Sequence, residues 1–304
     1  MSTTQQANDM QKNVREGWQD PSIAERYARA EAATRPYANI IIDKASLASN
    51  ITDHNCTVNA LDFGCGTGVV TAALYDIVPK EKWSNVKVLG GDISPHMLDY
   101  LRGRGEKNGW TGLTTQIVDG ADIQLNNNQF THIFANAIIF FLPLGALEKL
   151  FDLLQPGGFI GLTTWASFGW YSYVERAVNN MSNPPFLPTF SEIRDSLQKG
   201  NAWHEPAFVK QQLEETGLQD VELVVEKRNV ECGTPAQFCE SMMMPMTIVS
   251  GHWKESNRQE TLKEVMSELK KVMIEEAGGE EGMCYMQMEG IVGVGWKSMK
   301  KAKW

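Results

Sequence analysis

Leu61-Asp62-Phe63-Gly64-Cys65-Gly66-Thr67-Gly68 follows a short apolar run, Thr57–Phe63 (TVNALDF), and precedes a helical pattern over Val69–Val78. A strand running into a glycine cluster that opens a helix is the first strand-to-helix junction of an α/β sheet. Glycines there permit positive φ and let a ligand approach the backbone. The helix start offers N–H groups and the positive end of its dipole to an anion. Working outward, the alternation continues. Val86–Asp92 (VKVLGGD) reads as a strand and Pro95–Lys107 as a helix. Thr114–Val118 is a third strand, and Phe130–Phe141 contains a fourth. Leu144–Leu154 is helical, Pro156-Gly157-Gly158 a turn, and Phe159–Trp165 a fifth strand. Short apolar strands alternating with helices predict a parallel sheet covered on both faces.

The glycine spacing is GxGxG, not the GxGxxG of dinucleotide folds, and no GK[ST] of a phosphate loop is present. Asp62, just before the loop, would repel a pyrophosphate and suits a ligand with a positive group. S-adenosylmethionine carries an ammonium and a sulfonium, and a carboxylate that a loop amide can bind. Asp92 closes the second strand, where an acidic side chain accepts from a ribose diol. Ser94 and Pro95 read as N-cap and first-turn proline. Met97 and Leu98 would lie near the adenine. Asp119-Gly120 closes the third strand: the carboxylate would accept from the adenine amino group, with Asp122 as its rival, and the glycine would let the ring pass.

LDFGCGTG, GDISPHML, VDGADI and LLQPGGFIGLTTW, in that order, resemble the successive motifs of class I S-adenosylmethionine-dependent methyltransferases, over about residues 20–230. SFGWYSYVERA and Ala202-Trp203 before a helix are similar to fungal small-molecule methyltransferases of specialised metabolism, in particular the gliotoxin-type dithiol S-methyltransferases. The resemblance implies a three-layer Rossmann-like α/β fold with a seven-stranded, mostly parallel sheet and an antiparallel last strand. Val221–Val230 and Tyr285–Trp296 would be its sixth and seventh strands. It implies one domain over 13–304: an N-terminal helical lid at 13–45, a cofactor-binding core at 55–165 and a substrate cap at 166–217. Residues 218–304 would hold the last two strands around a helical insertion at 234–280. Residues 1–12 are polar and expected to be disordered. The family's usual acidic residue early in the fourth strand is absent; Thr131-His132 stands there.

Each candidate has a plainer alternative. Asp62 could cap backbone at the loop, and Cys65 could pack as a small apolar residue; with Gly64, Gly66, Asp92, Ile93, Met97, Asp119 and Gly120 they form the expected cofactor set. Asn136, at the end of the fourth strand, could orient the acceptor, hold the sulfonium end or satisfy backbone. Tyr27 and Tyr37 could close over the cofactor or pack within a lid. Trp165, Phe168, Trp170, Tyr171 and Tyr173 crowd the exit of strand five, as a pocket roof or a helix against the sheet edge. Met243, in the run Met242–Met244, could adapt to an apolar ligand or fill core. His204 is the imidazole placed to serve as a base. Lys297, Lys300, Lys301 and Lys303 read as a solvated end.

Composition narrows the classes. With 28 basic and 37 acidic residues, the net charge of −9 disfavours nucleic acid and anionic membranes as partners. Five scattered cysteines without a CxxC pair predict neither a disulfide framework nor a metal site. The N-terminus lacks the apolar core of a signal peptide, which predicts a cytoplasmic chain. The expected activity is methyl transfer from S-adenosylmethionine to a small, fairly apolar molecule, releasing S-adenosylhomocysteine, with a thiol or dithiol as first acceptor and O- or N-methylation as the alternative. A protein that binds the cofactor without transfer, pericyclase-like or regulatory, is the other class. The sequence sets no oligomeric state.

Overall fold

The computed structural model describes residues 16–47 and 56–299, so the expectation for residues 1–12 lies outside it. The described helices are α1 (Ile23–Lys44), α2 (Val69–Ile77), α3 (Pro95–Asn108), α4 (Gly145–Leu153), α5 (Tyr171–Asn179), α6 (Phe190–Leu197), α7 (Pro206–Glu215), α8 (Pro235–Ser241), α9 (Met243–Ser250) and α10 (Arg258–Ala277). The strands are β1 (Val58–Phe63), β2 (Val86–Asp92), β3 (Leu113–Ile117), β4 (Phe130–Ala135), β5 (Leu154–Ser167), β6 (Gln219–Glu231) and β7 (Tyr285–Trp296). They form one seven-stranded sheet in the order β3-β2-β1-β4-β5-β7-β6. No described helix is long and apolar enough to cross a membrane.

β1 pairs in parallel with β2 and β4, β2 with β3, and β4 with β5. β7 runs the other way. Its C-terminal end meets the start of β5, where Gly157 N donates to Lys297 O and Lys297 N to Gly158 O, both at 2.8 Å. Its N-terminal end meets the finish of β6, where Cys232 N donates to Cys284 O at 2.9 Å. The mixed seven-stranded sheet is the expected Rossmann-like α/β fold.

The local chemistry explains the elements. β1 is buried at every position but Asn59, as a strand covered on both faces must be. Ser94 caps α3, its Oγ accepting from Met97 N, with Pro95 in the first turn and Gly109 closing the helix at φ 73°. Thr189 with Glu192 and Thr234 with Gln237 form capping boxes at α6 and α8. Where the family carries an acidic residue in β4, the Thr131 hydroxyl accepts from Asn59 N at 2.9 Å and donates to Asn59 O at 3.1 Å. The β1–β4 tie is thus made without a charge, and burial pushes the neighbouring His132 down to about 4.

Two local expectations change. Pro156-Gly157-Gly158 is part of β5, because Gly157 and Gly158 pair with Lys297; Gly157 takes φ 77° where the register of β4 and β5 shifts. Tyr171–Asn179 is a helix, as one of the two readings of the aromatic run has it. Lys297 also departs from a solvated end. Its Nζ donates to Phe151 O at 2.9 Å and Leu154 O at 2.8 Å, capping the carbonyl end of α4. Burial lowers its pKa. Lys300, Lys301 and Lys303 lie outside the described residues. Lys297→Met should cost about 1–2 kcal/mol, because it removes a cation and two hydrogen bonds from a helix C-terminus. Chemical denaturation of the variant checks this; unchanged stability would return Lys297 to the solvent.

Two compact units can be distinguished in the described chain. One takes the described residues through Ala33, Ser167–Asn201 and Lys227–Glu289; the other takes Thr34–Ala166, Ala202–Glu226 and the residues from Gly290 on. The second contains the glycine loop and a core in which Leu61, Phe130, Phe134 and Phe159 are fully buried. The first collects helices α5, α6, α8, α9 and α10.

Candidate active site

Parallel pairing brings the C-terminal ends of β1, β2, β3 and β4 to one edge of the sheet, where ligands of such folds sit. Gly64, Gly66 and Gly68 take φ 65°, 50° and 89°, a region costly for other residues. A Cβ on Gly64 would stand 2.7 Å from Ile138 Cγ1. The loop is held by its own amides: Gly64 N and Cys65 N donate to Gly91 O at 2.7 and 3.1 Å, and Gly68 N donates to Cys65 O at 2.8 Å. Gly66 N donates to Asp92 Oδ2 at 2.9 Å. These four amides are consumed within the site, so the expected loop-amide contact with a ligand carboxylate does not come from them.

Asp92 Oδ1 accepts from Ser94 N at 2.9 Å. Both carboxylate oxygens of Asp92 are thus engaged by backbone donors, with Ile93 adding a third, and the group keeps acceptor capacity for a further one. Burial raises its pKa, and the backbone bonds from Ser94, Gly66 and Ile93 oppose the rise. Asp62 is 2% exposed and its Oδ2 accepts from Thr71 N at 3.0 Å and Thr71 Oγ1 at 2.6 Å. Burial pushes it up to about 7 against those bonds, with Asp92 adding to the rise and Arg104 opposing it. Asp62 thus holds a threonine in α2 rather than the backbone of the loop. A buried and a half-buried carboxylate with little countercharge, beside a left-handed glycine loop, fit a cationic ligand with a diol, as S-adenosylmethionine is.

The remaining candidates separate. Cys65 is buried against Gly90, and burial lifts its thiol well above the ordinary range, so it packs as a small apolar residue. Asp119 is half-buried with Oδ1 accepting from Ala121 N at 3.0 Å, whereas its rival Asp122 is exposed. A Cβ on Gly120 would stand 2.5 Å from Leu142 Cδ2, so a larger residue there would require the Leu142 side chain to move. Ile93 is half-buried; Met97 has no exposed surface. Tyr37 is corrected: it too has no exposed surface, its hydroxyl donates to Glu226 O at 3.2 Å, and its ring meets Trp165 edge-on at 5.1 Å. It is core, as is Trp165 at 7% exposure. Asn136 is nearly buried, with Oδ1 accepting from Thr163 Oγ1 at 2.7 Å. His204 Nε2 lies 3.6 Å from Glu205 Oε1.

In the other unit, Phe168, Trp170, Tyr171 and Phe190 form an aromatic cluster with ring centroids 5.6–6.2 Å apart. Trp170 is buried; Phe168 and Tyr171 keep exposed surface. Tyr27 and Met243 line one cleft there with Ile23, Ala30, Ser241 and Thr247. Met242 and Met246 are core. Sequence reasoning missed Thr71 and Thr163. The signal was polar residues inside runs otherwise wholly apolar, since a buried hydroxyl must find a partner.

Residues 60–158 match the methyltransferase domain family. The chain is 26% identical over 283 residues to methyltransferase tpcH of Aspergillus fumigatus, covering 91% of this chain and 97% of that protein. It is 28% identical over 259 residues to acetylaranotin bis-thiomethyltransferase of Aspergillus terreus, covering 85% and 89%. Among solved structures, phosphoethanolamine N-methyltransferase 2 of Haemonchus contortus aligns at 16% identity and a TM-score of 0.46, over 80% of this chain and 49% of that one.

Proposed function

From a methyltransferase domain at residues 60–158, with S-adenosylmethionine as its methyl donor, we propose that this chain methylates a small, fairly apolar metabolite of fungal-type specialised metabolism in the cytoplasm, and that the acceptor atom is the sulfur of a thiol or dithiol. The whole-chain likeness carries this reading. The bis-thiomethyltransferase is similar across 85% of this chain, well beyond the domain at 60–158, so the likeness takes in the residues outside the cofactor-binding core.

The residues divide the task. Asp92 would hold the ribose diol, Asp119 with Gly120 and Ile93 the adenine, and the face of the glycine loop, not its four paired amides, the methionine end, with Asp62 supplying the negative charge of the site. When bound, the cofactor supplies a sulfonium methyl that an acceptor lone pair takes as the old carbon–sulfur pair leaves on the departing sulfur. What this chain adds is alignment and exclusion of water, worth roughly 7–11 kcal/mol in favourable cases. A thiol, with a pKa near 8.5, loses its proton to solvent without a dedicated base. His204 is the residue to test as a base only if a phenol is the acceptor.

Release of S-adenosylhomocysteine, followed with a panel of small dithiols, phenols and amines, tests the reading. Turnover confined to thiols is expected. Turnover on phenols or amines alone would discard the sulfur acceptor and keep the enzyme; cofactor binding without any turnover on native extracts would favour a non-transferring role.

A further inference from the structure

β4 and β5 pair in parallel with Ala135 opposite Leu162, which places Asn136, just past β4, beside Thr163. Thr163 Oγ1 lies 2.7 Å from the backbone N of Ala137 and 2.7 Å from Asn136 Oδ1. A backbone N–H only donates, so the hydroxyl accepts from Ala137 and its own proton goes to Asn136. That proton requires an oxygen. The chemistry therefore fixes which way the Asn136 amide is turned: Oδ1 faces Thr163, and the NH2 group faces away from it. The reverse setting would aim two donors at one hydroxyl oxygen and leave the proton of a hydroxyl that is 1% exposed without an acceptor. No described residue accepts from Asn136 Nδ2. The same hydroxyl anchors the amide of Ala137, held at φ 58°, where residues other than glycine seldom go. A strained backbone position at the functional edge of the sheet and an oriented amide share one threonine.

We propose that Thr163 is a positioning residue that locks Asn136 with its NH2 group presented as a hydrogen-bond donor to the electron-rich acceptor atom, a thiolate. This rests on the thiol reading above. A donor amide stabilises the anion and holds one lone pair, leaving another for attack; it cannot serve as a base. Asn136 then favours acceptors that arrive as anions over protonated amines.

Three variants of the full chain test it: Thr163→Val, which keeps shape and removes the hydroxyl, Thr163→Ser, which keeps the hydroxyl, and Asn136→Asp. With dithiothreitol as thiol probe, Thr163→Val should lower kcat about tenfold or more and move the acid limb of its pH profile upward. Cofactor affinity by calorimetry should stay within about twofold, and Thr163→Ser should remain near the parent. Cofactor affinity falling as far as kcat in Thr163→Val would assign the donor to the cofactor and overturn the proposal. So would Thr163→Ser failing like valine, which would mean packing alone. The side-chain amide signals of Asn136 in a 15N spectrum, identified by their loss in Asn136→Asp, need no acceptor. They should move in Thr163→Val and hold in Thr163→Ser. If they do so while no thiol is methylated, the acceptor reading has failed; if they stay fixed in Thr163→Val, the positioning itself has.

Discussion

Asp92→Ala is expected to weaken S-adenosylmethionine binding about ten- to a hundredfold, some 1.5–3 kcal/mol. The carboxylate stands between two tasks. Toward the protein it accepts from Gly66 N and Ser94 N, each at 2.9 Å, and so ties the glycine loop to the start of α3. Toward the ligand, the carboxylate keeps acceptor capacity that its backbone donors leave for a ribose hydroxyl. Alanine removes both the anion and the tie. Asparagine should be nearly as poor: its oxygen can keep one backbone donor, but its NH2 group would then face the other N–H. Calorimetry on the folded variants decides this, with circular dichroism to establish that they are folded. Parent-like affinity in Asp92→Ala would remove the residue from the cofactor site.

The sequence announced the scaffold of this site better than its lining, for a physical reason. β1, β2 and β7 are apolar runs bounded by glycine or charge, and backbone pairing turns such runs into strands whatever surrounds them. Ser94-Pro95 and Gly109 set the limits of α3 by local hydrogen bonding alone. The side chains of Tyr37 and Thr163 obey no local rule. Tyr37 lies on a helix whose pattern serves lid or core equally; what buries it is Trp165, 128 positions away in the chain, and the flank of Gly290. Thr163 reads as one more residue of a β-rich run until the β4–β5 register sets it against Asn136. The helix at Tyr171–Asn179 stays an open alternative in the sequence because its aromatic residues fit a pocket wall as well as a helix face. Its hydrogen bond from Tyr171 to Pro188 O comes from tertiary placement.

Asp62 should make the chain less stable as pH rises from about 4 to about 7. Its pKa is 3.8 unperturbed and about 7 in the fold, where burial is the main cause. Between those values the folded chain keeps a proton that the unfolded chain has lost. The group's favourable contribution is thus complete below the lower value and is lost as pH rises through the upper one, by about 4 kcal/mol at most. Asp92, also raised by burial, adds a slope of the same sign. Asp62→Asn keeps an oxygen for the two Thr71 donors and has no proton to lose, so its stability should fall less between pH 5 and pH 8 in chemical denaturation. Equal slopes in parent and variant would show that Asp62 is ionised throughout. The same proton reports on the ligand. If the cofactor's ammonium rests over Asp62, binding near pH 6.5 must expel part of that proton, because a cation beside a carboxylate favours its charged form. Calorimetry in two buffers of different ionisation enthalpy reads the release directly. Proton release that vanishes in Asp62→Asn places the ammonium there, and binding without release leaves Asp62 as the cap of Thr71 alone.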